Sequence, residues 1–147
     1  NIREVCKIVE AAGINVCANY IVGLGHDNWD TMQETLNLAL ELNAANSNIY
    51  SATSLPGSPL HLKVKEEGWK LPDTYSGYGF LSYDHLPSPT YSLSAEESLA
   101  FRDYAFHVLF ENPRFLAKIQ RLFGDNAVKS IKRMTDIKIK RKILENV

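Results

Sequence analysis

Apolar residues Ile2, Val5, Cys6, Val9 and Ala12 recur at the three-and-four spacing of an amphipathic helix, and Gly13 stands where a left-handed helix end belongs. Residues 14 to 24 then read INVCANYIVGL, an apolar run broken by Asn15 and Asn19. Such a run predicts a parallel strand buried on both faces. A turn at Gly25-His26-Asp27-Asn28 leads into a helix over about Trp29 to Asn43. Its stripe is Trp29, Met32, Leu36, Ala39 and Leu40, and Asp27 or Asn28 is placed to cap it. Ile49, Tyr50 and Thr53 make residues 47 to 54 a second strand. The order α-β-α-β with short connections predicts a right-handed parallel α/β unit.

The texture changes after Leu55. Pro56-Gly57-Ser58-Pro59 is a turn, and Pro59 opens a short helix over Leu60 to Glu67 that Gly68 ends. Residues 69 to 92 set Trp69, Tyr75, Tyr78, Phe80, Tyr83 and Tyr91 among prolines, glycines and serines. Disordered linkers are poor in aromatics, so this stretch is expected to be an ordered, packed loop. Ser94-x-x-Glu97 is a capping box opening a helix to about Glu111. Asn112-Pro113 starts the next helix, with Phe115, Leu116, Ile119, Leu122 and Phe123, ending at Gly124. Asp125 is placed to cap another helix with Val128, Ile131 and Met134, and a basic segment follows from Thr135 to Leu144. The chain thus divides into βα units over 1–58, a short helix and aromatic loop over 59–92, and a helical extension over 93–147.

Composition narrows the function classes. The chain has 147 residues, enough for one real core but too few for a complete (β/α)₈ barrel of about 250 residues. Sixteen Lys and Arg oppose seventeen Asp and Glu, so the net charge is −1 and no strong field steers nucleic acid to the chain; a nucleic-acid partner is not expected. Cys6 and Cys17 make no disulfide framework, which points to a reducing, cytoplasmic setting. No apolar run approaches the roughly 20 residues of a membrane span, and no signal peptide is visible. The sequence opens without Met inside a helix pattern, which suggests a start within a larger protein.

Candidate chemistry concentrates at the strand exits. Ligands of parallel α/β folds sit at the carboxyl ends of strands. Gly23 and Gly25 let a ligand approach the backbone there, and the next helix N-terminus supplies free N–H groups. The alternative is that both glycines only make a tight turn. The second strand ends at Ser54-Leu55-Pro56-Gly57-Ser58-Pro59, and its exit should lie beside the first. Of His26, His61, His85 and His107, which lack metal-ligand spacing, only His26 stands at a strand exit. No Ser/His/Asp or Cys/His set is apparent. Tyr75, Tyr78, Tyr83 and Tyr91 line a flat substrate's pocket or, as the plainer reading, cover the core. Arg102-Asp103 reads as an exposed ion pair of little value. Lys129, Lys132, Arg133, Lys138, Lys140, Arg141 and Lys142 read as a solvated helix face, with contact to an anionic partner as the alternative.

Several stretches together resemble the C-terminal half of radical S-adenosylmethionine enzymes. The likeness is greatest to the subfamily with an N-terminal cobalamin-binding domain, which includes the anaerobic magnesium-protoporphyrin ester cyclase. They are Ala12-Gly13-Ile14, Asn19-Tyr20-Ile21-Val22-Gly23-Leu24, Thr31-Met32-Gln33-Glu34-Thr35, Ala39-Leu40-Glu41-Leu42-Asn43, Pro56-Gly57-Ser58 and Phe101-Arg102-Asp103-Tyr104-Ala105-Phe106. The resemblance implies an α/β fold, a fragment of a partial (β/α)₆ TIM-like barrel with about two parallel strands, followed by an α-helical C-terminal extension. It implies that the parent is an iron–sulfur oxidoreductase that reductively cleaves S-adenosylmethionine to a 5′-deoxyadenosyl radical acting on a small-molecule substrate. Cobalamin would sit in a separate N-terminal domain.

The family's fifth strand carries G-x-I-x-G-x-x-E against the adenine. Ile21 and Gly23 match it here, whereas Asn19 replaces the first glycine and His26, followed by Asp27, the acid. The implied cofactor-binding set is Ile21, Gly23, Leu24, Asp27, Tyr50, Ser51 and Thr53. The family's 4Fe–4S cluster is held by C-x₃-C-x₂-C. Here Cys6 and Cys17 have ten residues between them and read as small buried residues, so no metal ligand and no catalytic residue is assigned. The resemblance therefore implies an inactive isolated chain whose partner is the missing N-terminal part of the same protein. The alternative is a non-catalytic α/β nucleotide-binding or interaction module. Two strands make a marginal sheet, so the isolated chain is expected to form a homo-oligomer.

The cysteine count yields the first testable outcome. After anaerobic reconstitution with iron and sulfide, the chain should carry no stoichiometric iron and no cluster absorption near about 400 nm, since ligation needs closely spaced thiolates. One cluster per chain would refute this.

Overall fold

The computed structural model describes residues 1–145. Local sequence signals set most of its element boundaries. Helix α1 (Ile2–Ala11) is capped by Asn1 and followed by Gly13 at φ 79°. Strand β1 (Cys17–Val22) precedes helix α2 (Trp29–Leu42), for which Asn28 rather than Asp27 is the cap. The Asn28 Oδ1 accepts from the N–H groups of Asp30 and Thr31, and the Thr31 hydroxyl oxygen accepts from the Asn28 N–H. Asn43 ends α2 in the left-handed region at φ 46°. Strand β2 (Asn46–Ser51) and helix α3 (Pro59–Glu66) follow, with Ser58 capping α3 and Pro59 in its first turn. The Ser94/Glu97 capping box opens α4 (Ala95–Phe110), and Asn112-Pro113 opens α5 (Pro113–Phe123). Helix α6 (Asp125–Thr135) departs from expectation at its start: Gly124 holds the cap position and Asp125 is already helical.

The two strands form a parallel sheet in which Ile21 pairs with Tyr50 and Val22 with Ser51. The fold is thus mixed α/β, with six α-helices and a two-stranded parallel sheet among the described residues. Both strands are shorter than the expected 14–24 and 47–54, and they are not buried on both faces. Ala18, Tyr20, Val22, Ser47, Ile49 and Ser51 face the helices; Cys17, Asn19, Ile21, Asn46, Asn48 and Tyr50 face outward. The cause is that α2 and α4 pack on one side. Met32, Leu36 and Ala39 of α2, and Phe101, Ala105 and Leu109 of α4, share one core with Tyr20, Val22 and Ile49. Asn19 was the sign of this. Its side chain accepts a 2.9 Å hydrogen bond from Asn48 Nδ2 on the outer face, where an amide pair stays solvated at little cost. Cys6 is half-buried and Cys17 exposed, so neither is the core residue expected.

Helix α5 extends the core through Phe115 and Ile119, and α6 packs Ala127, Val128 and Ile131 against it, so the chain from β1 to α5 contributes to one apolar cluster. Residues 136–141 form no helix; they run back along α4 to a 3₁₀ turn at Lys142–Leu144. Two expectations fail here together. Arg102 is 7% exposed and Arg141 is 3% exposed, so neither is the surface charge expected, whereas Lys129, Lys132 and Arg133 do lie exposed on α6 and Lys138, Lys140 and Lys142 are exposed outside any α-helix. The Asp103 carboxylate accepts from Arg102 Nη1 at 2.8 Å and from Arg141 Nε and Nη2 at 3.1 Å. Arg102 Nε donates to the Ile49 carbonyl, and Arg141 Nη1 donates to the carbonyls of Phe80 and Ser82. Among the described residues no helix is long and apolar enough to cross a membrane.

Removing the shared carboxylate leaves two buried guanidinium groups uncompensated. Asp103→Ala should therefore cost about 3 kcal/mol or more in urea denaturation. A cost below about 0.5 kcal/mol, typical of a surface site, would show that the network is incidental.

Candidate functional site

The parallel register brings the two strand exits together. Ile21 and Tyr50 are partners on the open face; Ile21 is 50% exposed and Leu24, just beyond β1, is 49% exposed. The Tyr50 ring packs against Phe80, with centroids 4.8 Å apart. These apolar groups form a shelf at the carboxyl ends of the strands, the kind of surface on which a purine ring can stack.

The remaining residues of the set are engaged inside the chain. Gly23 is buried with φ 79°, and a Cβ built there would lie 3.1 Å from Ser98 Cβ of α4. The close approach that this glycine permits is thus made by a helix of the chain itself. Asp27 holds the turn: its Oδ2 accepts from the Leu24 N–H at 3.0 Å and its Oδ1 from the Thr31 hydroxyl at 2.9 Å. The Thr53 hydroxyl donates to the Ser51 carbonyl.

Ser51 faces the other way, into a contact that sequence spacing does not reveal. Its Oγ lies 2.9 Å from Nε2 of His85, and Nδ1 of His85 lies 3.2 Å from the Gly77 carbonyl. A carbonyl only accepts, so Nδ1 carries the proton and Nε2 accepts from the Ser51 hydroxyl. Serine, imidazole and an orienting acceptor are the parts of a hydrolytic dyad. Here both side chains are buried, so no substrate reaches the hydroxyl. Burial, together with the nearby Arg141 and Arg102 charges, pushes the His85 pKa down to about 4, against the hydrogen bond to Gly77. His85 is therefore a weak base that staples the aromatic loop to β2. His61 makes a second staple, donating from Nδ1 to the Ser54 carbonyl at 3.0 Å.

The aromatic loop behaves as a cover. The Tyr91 N–H donates to the Gly25 carbonyl, its ring packs on His26 and Trp69, and its hydroxyl donates to Glu67. His26, the one histidine expected near a ligand, is exposed and lies under this ring. Tyr83 donates to Glu145, and Tyr75 stands in solvent. Tyr75, Tyr83 and Tyr91 do not converge on one pocket.

The groups present fit the implied cofactors unequally. Ile21, Leu24 and Tyr50 suit the adenine of S-adenosylmethionine. Cys6 on α1 and Cys17 on β1 do not suit a cubane cluster, and among the described residues no three His, Cys, Asp or Glu side chains converge as a metal site. The sequence matches no protein-family model and no curated protein.

The buried imidazole has a definite pH signature. It is neutral when folded down to about pH 4, whereas the unfolded ring takes a proton near its ordinary value of 6.5. Its stabilisation is complete above pH 6.5 and declines as the pH falls from 6.5 towards 4. The loss should be on the order of 1–3 kcal/mol, and His85→Gln should flatten that part of the stability curve. An unchanged slope in His85→Gln would assign the titration elsewhere.

Proposed function

We propose that the chain is the adenine-side portion of a radical S-adenosylmethionine oxidoreductase and contributes the wall of a partial barrel rather than its cluster loop. The observation that carries the reading is the open sheet face, where Ile21 and Tyr50 lie side by side at the carboxyl ends of two parallel strands. In a barrel the outer face of the sheet is covered by helices and the inner face looks onto the ligand. The α2 and α4 side corresponds to the first and the Asn19, Ile21, Asn48 and Tyr50 side to the second. The free edge of β1 is where an earlier strand of such a barrel would pair. When bound in such an enzyme, the sulfonium cofactor supplies a 5′-deoxyadenosyl radical by reductive cleavage at a 4Fe–4S cluster held elsewhere. The part that falls to this chain is recognition: apolar packing from Ile21 and Leu24, with backbone polar groups between Tyr50 and Thr53 meeting the adenine edge. Gly23 and Asp27 shape the turn that presents them.

A test should avoid Gly23. Its positive φ and the Ser98 contact make any side chain there a folding variant first. Ile21 is exposed and free of that objection. Isotope-labelled chain titrated with S-adenosylmethionine should shift the amide resonances of Ile21, Leu24 and Tyr50 to Thr53. Ile21→Glu should weaken the effect about tenfold without lowering the melting temperature. No shift at these positions would sink the reading. Equal shifts with ATP and with adenosine would favour a non-catalytic nucleotide-binding module.

A further inference from the structure

A second surface lies at the opposite edge of the sheet. A groove of about 1010 Å³ runs along β2 between the coil at Gly79–Ser82 and helices α4, α5 and α6. That size stands at the upper end of small-ligand sites. Its walls are mainly apolar, with Phe106 and Phe110 from α4 and Ile131 from α6 among them. Among the described residues Arg102 is the one charged residue lining it.

The charge there is unbalanced. Two guanidinium groups, of Arg102 and Arg141, share the single Asp103 carboxylate, which leaves one net positive charge in a largely desolvated place. Arg102 uses Nε on the Ile49 carbonyl and Nη1 on Asp103, and it stacks over the Phe106 ring at 5.3 Å. Its Nη2 donates to no group among the described residues. A buried arginine with an unused donor at one wall of an aromatic groove suits a ligand with one acidic head and an apolar body.

Two other occupants fit less well. An added β-strand would need the Ile49 carbonyl, which Arg102 already occupies. A phosphate monoester carries more negative charge than the single uncompensated positive charge can offset.

We propose that this groove binds a long-chain monocarboxylate, with its head on Arg102 and its tail along Phe106, Phe110 and Ile131. The groove touches the adenine shelf at Tyr50 and Phe80, but the proposed contacts rest on Arg102 and the α4–α6 wall, so acid-over-ester binding and the Ser130→Trp effect read this site apart from the function proposed above.

Fluorescence titration of the chain with cis-parinaric acid tests it. One site per chain with a dissociation constant below about 10 μM is expected, and the methyl ester should bind at least about tenfold more weakly. Arg102→Gln should erase the difference between acid and ester, but it also breaks the buried ion network. Ser130→Trp provides the second variant: Ser130 is exposed on α6 and lines the groove, so the change blocks the site without touching the core. It should weaken the acid about tenfold at unchanged melting temperature. Acid and ester binding alike, no binding up to about 100 μM, or an unaffected Ser130→Trp variant would each overturn the proposal. So would light scattering that shows Ser130→Trp turning a dimer into monomers, because the groove would then belong to a second copy.

Discussion

The Asp103 carboxylate, held between Arg102 and Arg141, is the constraint on which much of the tertiary arrangement depends. Through these two arginines it ties together three parts of the chain far apart in sequence: β2, the aromatic loop and the segment at Arg141. Arg102 carries the tie to β2 through the Ile49 carbonyl, and Arg141 carries the ties to the aromatic loop through Phe80 and Ser82. Desolvating two guanidinium groups is costly, and the cost is offset because all three nitrogens of Arg141 and two of the three of Arg102 reach an acceptor. The same contacts add acceptor partners for the Phe80 and Ser82 carbonyls of a loop otherwise held by short-range turn bonds such as Ser82 N–H to Gly79 and His85 N–H to Ser82. The network also caps the outer edge of the sheet and leaves a residual positive charge beside the groove.

Around this tie the strand exits are pinned by neutral contacts. His85 joins Ser51 to Gly77, His61 holds the Ser54 carbonyl, Ser98 fills the space beside Gly23, and Tyr91 bonds to Gly25. Polar side chains that could serve as ligands elsewhere are consumed in this fixing. What stays free is apolar: Ile21 and Leu24 on the open face, with Tyr50 half-covered by Phe80. The exits are rigid, and their chemistry is that of a packing surface.

The sheet has two unlike sides as a result. One face is closed by α2 and α4, and the other carries a row of amides and apolar residues open to solvent. A two-stranded sheet covered on one face is marginal by itself, and α1 adds little cover, since Ile2, Val5 and Ile8 are all exposed. The adenine-side reading uses the open face and the carboxylate reading the far edge of β2. They draw on different physics: stacking on apolar groups in one case, an uncompensated buried charge in the other.

The sequence by itself determined the local elements. Caps at Asn28, Ser94 and Asn112, prolines at 59 and 113 and glycines at 13 and 124 act within a turn of the chain, so their spacing is enough. It also determined that the two strand exits are neighbours, because a short α/β connection leaves few alternatives. It did not determine which sheet face is buried: an apolar run reads the same whether helices cover one side or both, and only the Asn19 and Asn48 pair distinguishes them. Nor could it reveal that Ser51 is used internally, or that Arg102 and Arg141 are buried. Ser51 meets His85 across 34 positions, Arg141 meets Asp103 across 38, and both arginines bond carbonyls more than 50 residues away; a surface charge and a buried one are the same letter until the chain folds.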